Sequence, residues 1–153
     1  MIKLLIVSAL TLAACAPSDY SYSAEDATVL QALHDVADII NDVGGCELIL
    51  VEPAGSYITP IDVEPEHYNG ERILGCALVG RSLHLTPVMP HIVLAERTVA
   101  RPEWLQHVLT HEVLHTIGFR HIEPVAKVMS TDVYAPYNIM SDATITRLQE
   151  MCQ

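Results

Sequence analysis

The side chains best suited to metal chemistry lie together in one stretch, which reads His-Glu-Val-Leu-His-Thr-Ile-Gly-Phe-Arg-His from His111 to His121. On a helix, His111 and His115 project from the same face one turn apart, so both imidazoles can reach one metal ion. Gly118 readily adopts a left-handed conformation, which would end the helix and turn the chain back to deliver His121. Three neutral imidazoles leave a tetrahedral zinc ion with one open position for water, as in catalytic zinc sites. The stretch therefore predicts a zinc (Zn2+) site with His111, His115 and His121 as ligands.

A carboxylate stands next to the first of these ligands. Glu112 could accept a proton from a metal-bound water and pass it to a leaving amine, which is the role of a general base in hydrolysis. His107 competes for a ligand role because it precedes His111 by four residues. Using His107 instead of His121 would force the three ligands onto three successive turns of one straight helix. We therefore predict Glu112 as the catalytic residue and His121 as the third ligand.

The stretch matches the pattern HExxHxxGxxH and so resembles the zinc signature of the metzincin metallopeptidases. The resemblance implies a methionine-containing turn farther along the chain, for which Met129 and Met140 are candidates. Met129 lies eight residues beyond His121, a spacing similar to that of the matrixin branch, whereas Met140 borders a predicted final helix. We therefore assign the Met-turn to Met129 and interpret Met140 as core filling.

Two positions differ from the better-known metzincin branches. Ile122 follows the third histidine, where matrixins carry serine and astacins carry glutamate. Thr131 stands two residues past Met129, where astacins and serralysins carry a tyrosine that reaches the zinc. The subfamily and the cleavage specificity therefore stay open.

The resemblance implies a zinc-dependent endopeptidase, a hydrolase acting on a peptide or protein substrate. An alternative on the same residues is a non-catalytic zinc-binding envelope lipoprotein, which would not require the carboxylate of Glu112. A structural lipoprotein without a metal is a third reading, and it would make the whole stretch incidental. We favour the endopeptidase because the ligands and the carboxylate occur together.

The N-terminus has the features of an exported protein. Lys3, an apolar stretch and small residues precede Cys15, which is typical of a secretory signal too short to span a membrane. Residues 12–15, Leu-Ala-Ala-Cys, resemble the lipobox of bacterial lipoproteins, which implies removal of residues 1–14 and lipidation of Cys15. Because Ala16 follows instead of aspartate, the resemblance implies an outer-membrane lipid anchor in the cell envelope. Residues 15–24 then predict a tether, and a plain signal peptide with an incidental Cys15 is the alternative.

The remaining residues, 25–153, suffice for a single domain with its own core, which we expect to be a monomer. The net charge of −11, from 8 basic and 19 acidic residues, excludes nucleic acid as a natural partner. Cys46, Cys76 and Cys152 remain after Cys15, and an oxidising envelope permits one disulfide among them. Cys46 with Cys76 is the favoured pair because both flank predicted strands, although sequence alone does not fix the pairing.

Apolar periodicity indicates the elements that would position the metal stretch. A stripe of apolar residues at spacings of three and four predicts a helix over residues 25–43. Pro102 and Glu103 favour the start of a catalytic helix, and Ser141 or Asp142 would cap a final helix reaching Met151. β-prone runs predict strands at 47–51, 57–63, 72–79 and 91–96.

Together with the resemblance, these elements imply an α+β class and a metzincin-like zincin fold. We expect a small twisted mixed sheet with an N-terminal helix, a catalytic zinc helix and a C-terminal helix. The resemblance also implies that residues 91–96 form an edge strand, along which an extended substrate would pair.

Overall fold

The structure is a computed structural model that describes residues 20–52, 59–64, 67–68, 71–72, 74–78, 90–121, 127–130 and 139–153, with the backbone alone at 67–68, 71–72 and 78. The elements in chain order are β1 (Tyr20–Ala24), α1 (Ala27–Gly44), β2 (Ile49–Val51), β3 (Thr59–Glu64), β4 (His67–Tyr68), β5 (Glu71–Arg72), β6 (Gly75–Leu78), β7 (His91–Ala95), α2 (Glu96–Val99), α3 (Pro102–Thr116) and α4 (Asp142–Met151). The predicted signal peptide, Cys15, Ile122 and Thr131 lie outside these residues. Among the described residues, no helix combines the length and apolar character needed to cross a membrane.

Five strands form a mixed sheet in the order β2-β1-β3-β7-β6. The pairs β1–β2, β1–β3 and β3–β7 are parallel, whereas β6 runs antiparallel to β7 and forms one edge of the sheet. β4 and β5 make a separate antiparallel pair. The predicted α+β class and mixed sheet are thus confirmed, with four helices in the part of the chain described.

The first strand corrects the predicted tether over residues 20–24, whereas residues 15–19 lie outside the described part of the chain. Tyr20–Ala24 pairs with both β2 and β3, so its backbone hydrogen-bonds on either side. Tyr22 is fully buried, and its hydroxyl lies 2.5 Å from Thr116 Oγ1. Because the Thr116 hydroxyl donates its own proton to Val113 O, Tyr22 is the donor in this bond. The polar composition suggested a tether, but tyrosine has a high strand propensity, and strand pairing accommodates the intervening serines.

Helix α1 confirms the predicted amphipathic N-terminal helix, with its start moved to Ala27. Asp26 is the N-cap, and its carboxylate accepts from the backbone N–H groups of Thr28 and Val29 at 2.8 and 3.0 Å. Gly45 ends the helix in a left-handed conformation at φ 82°. The Asp26 cap therefore places the start of the helix at Ala27, two residues later than the apolar periodicity predicted.

The core lies where α1 and α3 pack together and against the sheet. α1 contacts α3 and α4, and α3 also contacts β6 and β7. Fully buried side chains from α1, α3, α4, two strands and the adjoining loops form this core: Tyr22, Leu33, Ile40, Leu48, Ile92, Leu94, Leu109, Leu114, Met129 and Leu148. The metal stretch is therefore held on a helix that is itself a central core element.

The disulfide joins Cys46 to Cys152, with a Cα–Cα distance of 5.6 Å, so the favoured Cys46–Cys76 pairing is wrong. Cys46 follows the end of α1, and α4 packs along α1, which brings the C-terminus beside it. Cys76 lies in β6 as a partly exposed free thiol. The pairing follows from helix packing across 106 residues of sequence, which no local pattern encodes.

Candidate metal centre

Helix α3 carries the first two predicted ligands and begins where the sequence indicates. Pro102 occupies the first turn together with Glu103, and both suit the start of a helix because the first backbone N–H groups have no intrahelical partner. Every side chain from His107 to Leu114 is buried. The helix thus fixes His111 and His115 one turn apart on a rigid support.

The chain then turns at Gly118 in the way predicted. Gly118 has φ 96°, its N–H donates to His115 O, and the N–H of Phe119 donates to Leu114 O, both at 3.0 Å. This pair of bonds is the Schellman motif, which satisfies the last carbonyls of a helix and reverses the chain. The reversed chain places His121, three residues after Gly118, beside the end of the helix.

The three predicted ligands converge on one point. The Nε2 atoms of His111 and His115 lie 3.0 Å apart, and Nε2 of His121 lies 2.9 Å from His115 and 3.0 Å from His111. This is the one group of three metal-binding side chains found among the described residues. The sequence prediction that these three histidines meet is confirmed.

The other ring nitrogens set the protonation of the imidazoles. Nδ1 of His111 is 2.5 Å from Val128 O, and Nδ1 of His115 is 3.0 Å from Phe119 O. A carbonyl can only accept, so each Nδ1 carries the proton and donates, which leaves each Nε2 with a lone pair. Burial lowers the pKa of His111 to about 4 and also lowers the pKa of His121. The Nε2 lone pairs and the disfavoured protonation of His111 and His121 therefore suit the cluster to bind a cation.

The spacing fits a metal ion held by three nitrogens. Lone pairs that face one another at about 3.0 Å repel unless a cation or a proton lies among them. Nitrogens about 3.0 Å apart are close enough for all three to bind one ion at metal–nitrogen distances of about 2.0–2.1 Å. Imidazole ligands also suit copper, iron and nickel, so the geometry defines a metal site without fixing the metal.

Glu112 lies beside the first ligand in a site that opposes its charge. The side chain is 6% exposed, and burial raises the pKa of its carboxyl from 4.5 to about 7, while a hydrogen bond from the backbone of Ala77 acts in the opposite direction. In the metal-free protein, the predicted general base is therefore a buried carboxyl with a pKa near neutral pH.

The contact with Ala77 depends on the close approach of β6 to α3, which sequence reasoning missed. A Cβ atom at Gly75 would lie 2.6 Å from Val108 Cγ1 and 3.2 Å from Glu112 Cγ, so only glycine fits there without displacement. In the sequence, Gly75 interrupts the β-prone run at 72–79. That interruption was the available signal for a close approach, but the partner helix could not be read from it.

The predicted substrate strand is also corrected. His91–Ala95 lies between β3 and β6, so it has no free edge. Among the described strands, β6 lies at this edge instead, paired antiparallel to β7 in the register Gly75 with Leu94 and Ala77 with Ile92. The metzincin resemblance implied an edge position for residues 91–96, but β6 pairs with the outer side of that strand.

The predicted Met-turn segment borders the site. Met129 is fully buried in the turn Lys127–Ser130, directly after the residue whose carbonyl binds His111. Val128 N–H donates to Ile139 O at 3.0 Å, which ties this turn to the chain before α4. Met140 is also buried, in agreement with a core role. The assignment of Met129 as a Met-turn stays a prediction.

The other histidines whose side chains the structure describes are not part of the cluster. His107 is buried on α3 but is not part of the group that could hold a metal. His91 lies 2.8 Å from Asp62 Oδ2 on the sheet, and His34 is exposed on α1. The choice of His121 over His107 is thus supported by geometry. No protein-family model and no curated protein matches this chain.

Proposed function

We propose that this protein is a zinc-dependent endopeptidase of the metzincin type, in which Glu112 is the general base. The observation that carries the proposal is the convergence of three imidazole Nε2 atoms within 3.0 Å of one another, next to a buried carboxyl in the order of the metzincin signature. A mixed five-stranded sheet on helices agrees with such a fold. A site that only stored metal would not need the carboxylate.

A zinc ion bound by His111, His115 and His121 would lower the pKa of a coordinated water and polarise the carbonyl of a peptide bond. Glu112 takes the proton released from water and gives it to the leaving amine. The two backbone carbonyls at Val128 and Phe119 hold the imidazoles in the tautomer that binds metal.

An extended peptide would lie along β6, the strand at the edge of the sheet nearest α3. Edge strands bind extended segments through their unpaired backbone groups, and α3 contacts β6 through Gly75 and Glu112. A peptide held there would reach the metal in a fixed register. The lipobox resemblance supports a location in the bacterial cell envelope, with an anchor through lipidated Cys15.

The test compares the full-length protein with Glu112→Gln and His115→Ala. We expect the wild-type protein to bind one zinc and to cleave members of a peptide library. Glu112→Gln should retain zinc and lose cleavage, whereas His115→Ala should lose both. Cleavage by Glu112→Gln at the wild-type rate would contradict the proposal. One bound zinc without any cleavage by the wild-type protein would favour the zinc-binding lipoprotein.

The envelope address has its own test. Cells expressing the full-length protein with radiolabelled palmitate should yield a labelled, membrane-bound product, and Cys15→Ser should abolish the label. Equal labelling of both proteins would contradict lipidation at Cys15.

A further inference from the structure

The turn that carries His121 is held by a side chain from helix α4. Arg147 Nη2 donates to Gly118 O at 3.1 Å, and its guanidinium carbon lies 4.7 Å from the centre of the Phe119 ring. Arginine suits this double contact because its planar guanidinium donates hydrogen bonds at its edge and stacks through its face. A single exposed side chain therefore contacts both residues of the turn.

The two residues that Arg147 contacts are directly connected to two ligands. Phe119 O accepts from His115 Nδ1 at 3.0 Å, and the left-handed turn at Gly118 sets the direction in which the chain reaches His121. A displacement of this turn would change the orientation of the His115 ring and the position of His121 together. By contrast, His111 is held by Val128 O, from another part of the chain.

A cavity borders the turn on the side that Arg147 crosses. It has a volume of about 370 Å³ and is lined by Gly118, Phe119, Arg120, Ala143, Thr144 and Arg147. Phe119 is itself buried in the core, so Arg147 adds a contact on the cavity side to a turn already held by its own backbone hydrogen bonds. α4 itself is fixed, because it packs on α1 and its end is joined to Cys46 through Cys152.

We infer that Arg147 is a positioning residue for the metal centre, which fixes the Gly118–Phe119 turn on α4 and thereby aligns His115 and His121. The inference rests on the metal site of the proposed function and not on its hydrolytic step. It assigns to α4 a part in metal binding, although none of its side chains is a ligand.

The experiment uses three variants of the full-length protein. Arg147→Met keeps an unbranched apolar chain against Phe119 but removes the guanidinium, and Arg147→Lys keeps a charged donor without the planar face. Gln149→Met, at an exposed position of the same helix, is the matched control. The zinc dissociation constant is measured by competition with a chelator, and the visible absorption of the cobalt-loaded protein reports ligand geometry.

In Arg147→Met, the zinc dissociation constant should rise by about 10–100-fold, the range seen when a group that orients a ligand is lost. The cobalt absorption bands should shift, Arg147→Lys should show a smaller rise, and Gln149→Met should match the wild-type protein. Wild-type affinity and spectrum in folded Arg147→Met would overturn the inference. Because Arg147 is exposed, loss of the folded state in Arg147→Met would overturn it as well, since its role would then be general stability.

The proposed function fails in a different way. If the wild-type protein binds neither zinc nor cobalt, the metal site itself is refuted before any variant is compared. Wild-type binding that is equalled by Arg147→Met refutes only the role of Arg147.

Discussion

Helices α1 and α3 pack against each other, yet they bury their side chains in opposite ways. α1 buries an apolar stripe at helical spacing, exposes its acidic residues to solvent and is capped at both ends. α3 buries all side chains from His107 to Leu114, including two histidines, a threonine and Glu112. The side chain of its N-cap residue, Arg101, makes no capping hydrogen bond. α1 therefore stabilises the fold, whereas α3 accepts the cost of buried polar groups to build a site.

The largest effect on stability is expected for a substitution in the core face of α1. Leu33→Ala removes a fully buried side chain from α1 and should lower the free energy of unfolding by about 2–5 kcal/mol, because it leaves a cavity in addition to losing burial. Denaturant unfolding of the metal-free protein measures this change. Zinc affinity of the folded variant should stay at the wild-type value, since Leu33 is not linked to any ligand.

The neighbouring exposed position provides the control for Leu33→Ala. His34→Ala should change stability by no more than about 0.5 kcal/mol. If the folded Leu33→Ala variant bound zinc more weakly than the wild-type protein, α1 would contribute to the metal site as well as to stability.

Next comes Glu112, where a substitution should stabilise the protein. The folded pKa of about 7 exceeds the value of 4.5 for a free carboxyl, so the folded state disfavours the charge. The penalty is absent below the lower pKa, grows as pH rises from 4.5 to about 7 and is complete above that. Glu112→Gln should therefore raise the stability of the metal-free protein by up to about 3 kcal/mol at pH 8, and by much less at pH 5.

Unfolding curves at the two pH values test this prediction. Glu103→Gln, on the exposed first turn of the same helix, is the control and should show no such gain. The metal-free protein is required because a nearby cation would favour the carboxylate and reduce the penalty. Equal stability of Glu112→Gln and the wild-type protein at pH 8 would mean that burying the charged carboxylate does not destabilise the folded state.

The two helices also show what the sequence can and cannot predict. The ligand set was predictable because His111, His115 and His121 are placed by one helix and one turn, both of which follow from local spacing and from Gly118. α1 was predictable for the same reason, since periodicity reports the buried face of a single helix.

The features that were missed depend on contacts between distant segments. β1 consists of polar residues whose burial follows from two neighbouring strands, and the edge position of β6 follows from its antiparallel pairing with β7. The Cys46–Cys152 disulfide follows from the packing of α4 on α1. The carbonyl of Val128 reaches His111 across 17 residues of sequence. Local patterns carry no information about such pairings.

A third prediction concerns the close contact between β6 and α3. Gly75→Ala would place a Cβ atom 2.6 Å from Val108 Cγ1, so either the Val108 side chain or strand β6 must shift, at a cost of about 1–3 kcal/mol. Val108→Ala removes the opposing methyl groups and should relieve this clash. A double-mutant cycle on unfolding free energies measures the coupling, and the double variant should lose less stability than the sum of the two single changes. Additive losses would show that the strand and helix are not in tight contact.

The smallest expected effect returns to the cap of α1. Asp26→Ala removes the carboxylate that accepts from Thr28 and Val29 and should lower the free energy of unfolding by about 1 kcal/mol. Asp38→Ala, in the exposed middle of the same helix, controls for the loss of one negative charge from a chain of net charge −11. Because charge repulsion is shared by both variants, only Asp26→Ala should be destabilising. Zinc affinity should be unchanged in both, since α1 stabilises the fold without orienting any ligand.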